Sequence, residues 1–157
     1  MSNKTIALSG GFDPLHIGHI QLFKEASEYG DVIVILNSDE WNIKKKGFCF
    51  LPWFERFASI KSLPWVSDVV KVDDRYGHVM EALKRINPDY FGNGGTRKKA
   101  NTSKTEISFC EEAGITTLWN LGENSLQDSN ISIIQSRITK EMIKLVNQYE
   151  KNRTWEK

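Results

Sequence analysis

The chain has 157 residues, 39% hydrophobic and 26% charged, with 21 Lys and Arg against 20 Asp and Glu. That is enough for one α/β domain that buries roughly two-thirds of its unfolded surface without staples, and the composition excludes disorder and any global field drawing it to nucleic acid or membrane. Two cysteines, Cys49 and Cys110, make neither a disulfide framework nor a zinc cluster, so the reducing cytoplasm is the expected compartment.

The first apolar run, Ile6-Ala7-Leu8, is too short for a signal peptide. The longest elsewhere, Val32-Ile33-Val34-Ile35-Leu36, falls far below the roughly 20 residues of a membrane helix. Residues 5–9 read as a first strand, and Gly10-Gly11-Phe12-Asp13-Pro14 as a turn. Residues 17–29 read as a helix, with Ile20, Phe23 and Ala26 on one face and Gly30 as its stop. The unbroken run 32–36 is a second strand buried on both faces. A basic loop is expected over 40–51, then a helix from Pro52 to about Leu63.

A short strand follows at 69–72, a helix at 78–86 ended by Pro88, and a fourth strand at Tyr90-Phe91 running into Gly92-Asn93-Gly94-Gly95. Residues 96–104 hold Arg97, Lys98, Lys99 and Lys104 with no acid. A helix at 105–113 stops at Gly114, and residues 116–121 are the fifth strand. Ser129 caps a last helix carrying Ile131, Ile134, Ile138, Met142 and Val146. Alternating strands and helices predict an α/β fold, a doubly wound five-stranded parallel sheet flanked by helices. One domain is expected over 1–150, with a polar tail at 151–157. In such sheets ligands bind outside the carboxyl ends of the strands, so the turns after strands one, two and four are expected to converge on one cleft.

The string Gly10-Gly11-Phe12-Asp13-Pro14-Leu15-His16-Ile17-Gly18-His19 carries the chemistry. Its glycines let backbone approach a phosphate. The two histidines, three apart, share one face of the first helical turn. The helix start adds unpaired N–H groups, and Gly18 leaves room for a nucleotide. The arrangement suits a polyphosphate held by two imidazole donors. Either histidine alone would pass for a core or capping residue; the whole string does not.

This string resembles the HxGH signature of the nucleotidyltransferase superfamily that includes the cytidylyltransferases, whose sheet is Rossmann-like. Further segments resemble it in order: Asn37-Ser38-Asp39-Glu40-Trp41 after strand two, Lys44-Lys45-Lys46-Gly47 as the lysine loop, Pro52-Trp53-Phe54-Glu55-Arg56, Asn93-Gly94-Gly95 after strand four, and Ser129-Asn130-Ile131-Ser132 where the family has a hydroxyl-rich helix start. Only Ser129 and Ser132 remain of that last motif. The resemblance covers about residues 5–140. It implies transfer of a nucleoside monophosphate from a nucleoside triphosphate, CTP or else ATP, to a phosphorylated small molecule, with release of pyrophosphate. His16 and His19 would donate to the triphosphate, and Lys45 or Lys46 would neutralise developing charge as the loop closes. Gly10, Gly11, Phe12, Asp13, Gly18, Asp39, Asn93, Gly94, Gly95, Ser129, Asn130 and Ser132 are the expected nucleotide contacts. Arg56 and Arg97 are expected on the acceptor phosphate. Mg²⁺ is expected to arrive with the triphosphate, with Asp13 near it and no protein metal site.

Bland readings stand beside these. Arg56 suits a surface ion pair with Glu55, Asp39 a helix cap, Asn93 to Gly95 a tight turn, and Arg97 to Lys99 an exposed loop. Trp41, Phe48, Phe50, Trp53 and Phe54 crowd the lysine segment and suit packing across a homodimer. Three rival functions remain. A class I aminoacyl-tRNA synthetase would need a second lysine signature and far more chain. An adenylyltransferase of the phosphopantetheine type has a similar glycine-rich start, and one of the heptose type uses ATP. A nucleotide-binding module without catalysis would not need both histidines and the lysines.

Overall fold

The computed structural model describes residues 4–72, 79–95, 97–122 and 129–153; the side chains of 129–136, 150, 152 and 153 lie outside the described residues. The chain divides into two compact units, Met1–Ser125 and Leu126–Lys157.

The first unit runs β1 (Thr5–Gly10), α1 (Ile17–Ala26), β2 (Asp31–Leu36), α2 (Asp39–Lys46), α3 (Trp53–Lys61), β3 (Val66–Lys71), α4 (Met80–Ile86), β4 (Tyr90–Gly94), α5 (Lys104–Glu112) and β5 (Thr116–Leu121), with a 3₁₀ turn at Lys99–Asn101. The five strands form one sheet in the order β3-β2-β1-β4-β5. Every pairing is parallel. This is the α/β, Rossmann-like sheet that the alternating pattern predicts. Strand order reverses between β1 and β4, so the crevice opens at their carboxyl ends, where the His16 turn and the Asn93 turn leave the sheet.

Alternation of side chains across the sheet sorts the core into two layers. Ile6, Leu8, Val32, Val34 and Leu36 pack on one face with Phe23 of α1 and Ile60 of α3. Ala7, Ile35 and Phe91 pack on the other with Leu83 of α4 and Cys110 of α5. Helices on both faces are what makes β2 apolar along almost its whole length.

One element departs from the sequence reading. Most of the segment expected to be a basic loop is α2. Ser38 caps it, its Oγ accepting from the Trp41 N–H at 3.0 Å. Asp39 and Glu40 occupy the first turn, and Lys44, Lys45 and Lys46 the last, the order that suits the helix dipole. Gly47 closes it at φ 88°, a left-handed position open to glycine at little cost. Smaller differences are that α1 stops at Ala26, that β3 starts earlier at Val66, and that α4 begins at Met80. His78 lies outside the described residues.

The second unit contains α6 (Ser129–Arg153), which continues past the expected start of the tail. Ile138, Met142 and Val146 are exposed along it, and the side chains of Ile131 and Ile134 lie outside the described residues. Among the described residues no helix is long and apolar enough to cross a membrane.

Candidate active site

His16 is the N-cap of α1, and its Nδ1 accepts the Gly18 N–H at 3.1 Å. A backbone N–H can only donate, so the neutral ring carries its proton on Nε2 and presents a donor there. His19 follows one turn later, and the two rings stack with centroids 3.6 Å apart and planes 26° apart. Phe12, in left-handed backbone at φ 45°, is buried and meets His19 edge-on at 5.0 Å. Burial, then the charges of His16 and Lys46, lower the His19 pKa to about 3. The ring is therefore neutral at physiological pH, and its buried Nδ1 has no hydrogen-bond partner.

The last turn of α2 brings the lysines to the same place. The Lys46 ammonium donates to the Asp13 carboxylate at 3.0 Å and to the Asp13 carbonyl at 2.5 Å. Lys45 lies over the Trp41 ring, 4.5 Å from its centroid. Its pKa is lowered by burial, then by the neighbouring charges of Arg97 and Lys46. Arg97 pairs with Glu106 and lies over the Phe91 ring. The start of α1, the end of α2 and the segment after β4 thus bring His16, His19, Lys45, Lys46 and Arg97 together. Like charges pressing on one another before any ligand arrives make a seat for an anion of several charges.

Beside them Asn93 is buried at the end of β4. Its Nδ2 donates to the carbonyls of Phe91 and Leu118, both at 3.4 Å, and its Oδ1 has no partner. Gly94 and Gly95 follow, the latter at φ 61°. Gly18 lies in the first turn of α1. The side chains of Ser129, Asn130 and Ser132 lie outside the described residues, as does Thr96.

Several expected ligand contacts have other work. Arg56, expected on the acceptor phosphate, is 1% exposed. Its guanidinium donates to the carbonyls of Leu51 at 2.9 Å, Gly11 at 2.7 Å and Asn37 at 3.0 Å, and pairs with Asp39 at 2.5 Å. With four of its five N–H donors committed and the side chain enclosed, it is a strut behind the cleft that a phosphate does not reach. Asp39 is the other end of that strut: burial raises its pKa, but the Arg56 and Trp53 N–H bonds outweigh it and hold the carboxyl below its ordinary value. Gly11 is required by packing. A Cβ there would lie 2.1 Å from Oδ1 of Asn42 in α2. A Cβ on Gly10 would press on the Phe12 ring at 3.1 Å, and Phe12 itself belongs to the core.

Asp13, expected near a metal, has a wholly buried side chain. Its carboxylate accepts from the Phe50 N–H at 2.7 Å, the Leu51 N–H at 2.8 Å and Lys46. Burial pushes its pKa up, yet those two backbone bonds and Lys46 hold it below the usual value. Among the described residues no group of three His, Cys, Asp or Glu could hold a metal ion. These donors do not suit a resident divalent cation.

The sequence reading missed Asn42. It is buried, and its side chain fixes the distance between α2 and Gly11. Nothing in the local sequence separates it from a surface asparagine.

Residues 7–151 match the family model described as cytidylyltransferase-like. Over 91 residues the chain is 28% identical to an FAD synthase from Ferroglobus placidus, covering 58% of this chain and 59% of that protein. It is 31% identical over 86 residues to an ethanolamine-phosphate cytidylyltransferase from Arabidopsis thaliana, covering 54% of this chain and 20% of that one. A glycerol-3-phosphate cytidylyltransferase from Staphylococcus aureus is 32% identical over 92 residues, 58% of this chain and 69% of its own length. The alignments thus span less than two-thirds of the first two relatives. Among solved structures, a lipopolysaccharide core biosynthesis protein from Thermoplasma volcanium shares the fold, with a TM-score of 0.63 at 23% identity over 76% of this chain and 95% of that one.

Proposed function

The chain belongs to the cytidylyltransferase-like family, and on that premise we propose that it is a nucleotidyltransferase that moves CMP from CTP to a small phosphorylated polyol, sugar or amino alcohol. An oxygen of the acceptor phosphate attacks the α-phosphorus. The bond from that phosphorus to the α–β bridging oxygen breaks, and pyrophosphate leaves with the electron pair. No covalent enzyme intermediate is needed, so positioning and electrostatic stabilisation carry the rate. His16 donates from Nε2 to the phosphate chain, with its tautomer set by Gly18. His19, neutral and partly stripped of water, donates to oxygens whose charge grows in the transition state. Lys46 and Lys45 meet the negative charge collecting on the departing pyrophosphate. Arg97, whose charge is felt by Lys45, takes the acceptor phosphate.

The observation that carries this reading is the convergence of those five cationic or imidazole side chains at the carboxyl ends of β1, β2 and β4. The glycerol-3-phosphate and ethanolamine-phosphate cytidylyltransferases among the relatives support cytidylyl transfer. The FAD synthases support a second reading, adenylyl transfer from ATP. Pyrophosphate release from CTP, ATP, UTP and GTP against a panel of phosphorylated alcohols and sugars tests both. Release with CTP and one acceptor is the expected result, release with ATP alone selects the second reading, and release with none overturns both.

A further inference from the structure

We propose that Asp13 is a positioning residue that acts through Lys46: its buried carboxylate ties the lysine at the end of α2 to the histidine turn and leaves one ammonium hydrogen aimed at the substrate. The inference rests on the nucleotidyltransferase reading and adds to it a residue with no substrate contact of its own.

The geometry is a tripod seen from both ends. An ammonium has three hydrogens and no acceptor. Lys46 spends two on Asp13, one on the carboxylate and one on the main-chain carbonyl. Two bonds to one residue fix the direction of the third. The Lys46 side chain is still 25% exposed, whereas that of Asp13 is not exposed at all, so a ligand reaches the lysine and not the carboxylate. A free lysine would sample many rotamers; this one is held beside His19, whose proton affinity already registers its charge.

Asp13 also accepts from the N–H groups of Phe50 and Leu51, the chain that follows α2. The carboxylate therefore fastens the helix-terminal lysine and the segment beyond it to the turn that carries His16. Asp39, at the other end of α2, is committed to Arg56.

The test is a double-mutant cycle of Asp13→Asn with Lys46→Ala, read by pyrophosphate release and by calorimetric binding of inorganic tripolyphosphate. Asp13→Asn keeps the shape, loses the charge and turns one of two acceptor oxygens into an NH2 that faces a backbone N–H; turnover is expected to fall by about 10- to 100-fold, the scale of a misplaced catalytic group. In the Lys46→Ala background the same change is expected to cost less than about twofold, because the residue it acts through is gone. A merely structural role would give the same loss in both backgrounds, which overturns the proposal, as would wild-type turnover and affinity in Asp13→Asn alone. Should Asp13→Asn not fold, Asp13→Glu, which keeps the charge and displaces it by one methylene, takes its place in the cycle with the same expected coupling. If the wild-type protein releases no pyrophosphate with any triphosphate, the functional reading fails, while the tripolyphosphate arm still decides whether Asp13 and Lys46 are coupled.

Discussion

His16 and His19 stack face to face at 3.6 Å, and His16 is at the same time the cap of the helix that carries His19. Burial first, and then the closeness of a second imidazole, keep His19 neutral. A polyphosphate brings negative charge to both rings. The pair is thus arranged for a ligand whose charge increases during reaction.

Loss of either ring is expected to lower turnover about 100- to 1000-fold, the usual cost of removing one transition-state donor. His16→Ala has a second effect, since the cap goes with it, at about 1 kcal/mol of stability. His16→Asn separates the two: asparagine caps well, so stability should return while turnover stays low. Pyrophosphate release and urea unfolding on the three variants check this. An active His16→Asn protein would mean that His16 only caps.

The His19 shift gives a pH dependence of stability. An unfolded histidine titrates near pH 6.5 and this one at about 3 when folded. Between those values the unfolded chain binds the extra proton and the folded one does not. Its contribution is therefore complete above about pH 6.5 and declines as pH falls toward 3. Partial solvent access discounts the shift, leaving ~2 kcal/mol across the window. Urea unfolding of wild type and His19→Gln from pH 7 to 4 should show the steeper acid loss in wild type. Parallel curves would remove His19 from the account.

Much of this was legible in the sequence. The buried run 32–36, the glycine stop after α1 and the spaced histidines follow from period and local chemistry alone. The basic loop expected over 40–51 is mostly helix, because three consecutive lysines carry no apolar period to announce one. The helix signal was present nonetheless: a capping Ser38, acids in the first turn, bases in the last, then Gly47. What the sequence could not carry was pairing at a distance. The bond from Arg56 to the Gly11 carbonyl spans 45 positions, and that from the Leu51 N–H to the Asp13 carboxylate spans 38. Such contacts decide whether a charged residue faces a ligand or holds the wall behind it.

Lys46→Ala is expected to weaken triphosphate binding and to slow turnover more than Lys45→Ala does. Lys46 is the one held beside the histidines, and Lys45 rests on Trp41. The Lys46 charge is also one of the causes holding the His19 pKa down, so the same variant should raise that pKa. Proton NMR titration of His19 in Lys46→Ala checks the second point independently of activity. An unmoved titration would place the lysine farther from the ring than the structure has it.

Arg56→Ala should be the costliest of the single changes to stability. It removes four hydrogen-bonding contacts from a fully enclosed position and leaves Asp39 without its partner. Leaving several enclosed carbonyls without their donor, at about 1–3 kcal/mol each, costs about 3–5 kcal/mol in all, to which the Asp39 carboxylate, 37% exposed, adds little. Chemical denaturation measures it. A loss under about 1 kcal/mol together with a raised KM for the acceptor alone would restore Arg56 to the phosphate site.

Gly11 supplies the sharpest test of how α2 is seated. A methyl group there would come within 2.1 Å of the Asn42 Oδ1 and 3.2 Å of the Trp41 ring. Asn42 is 1% exposed and has no room to swing away, so the helix must shift. Gly11→Ala is expected to cost about 1–3 kcal/mol by overpacking, and to lower turnover because Lys45 and Lys46 move with α2. Asn42→Ala removes the obstructing atom, which is itself buried without a partner. The double variant should therefore regain a good part of both stability and turnover. If glycine is needed instead for close approach of a phosphate to the backbone, the double variant recovers its stability and remains inactive, and the two roles of that position separate in one experiment.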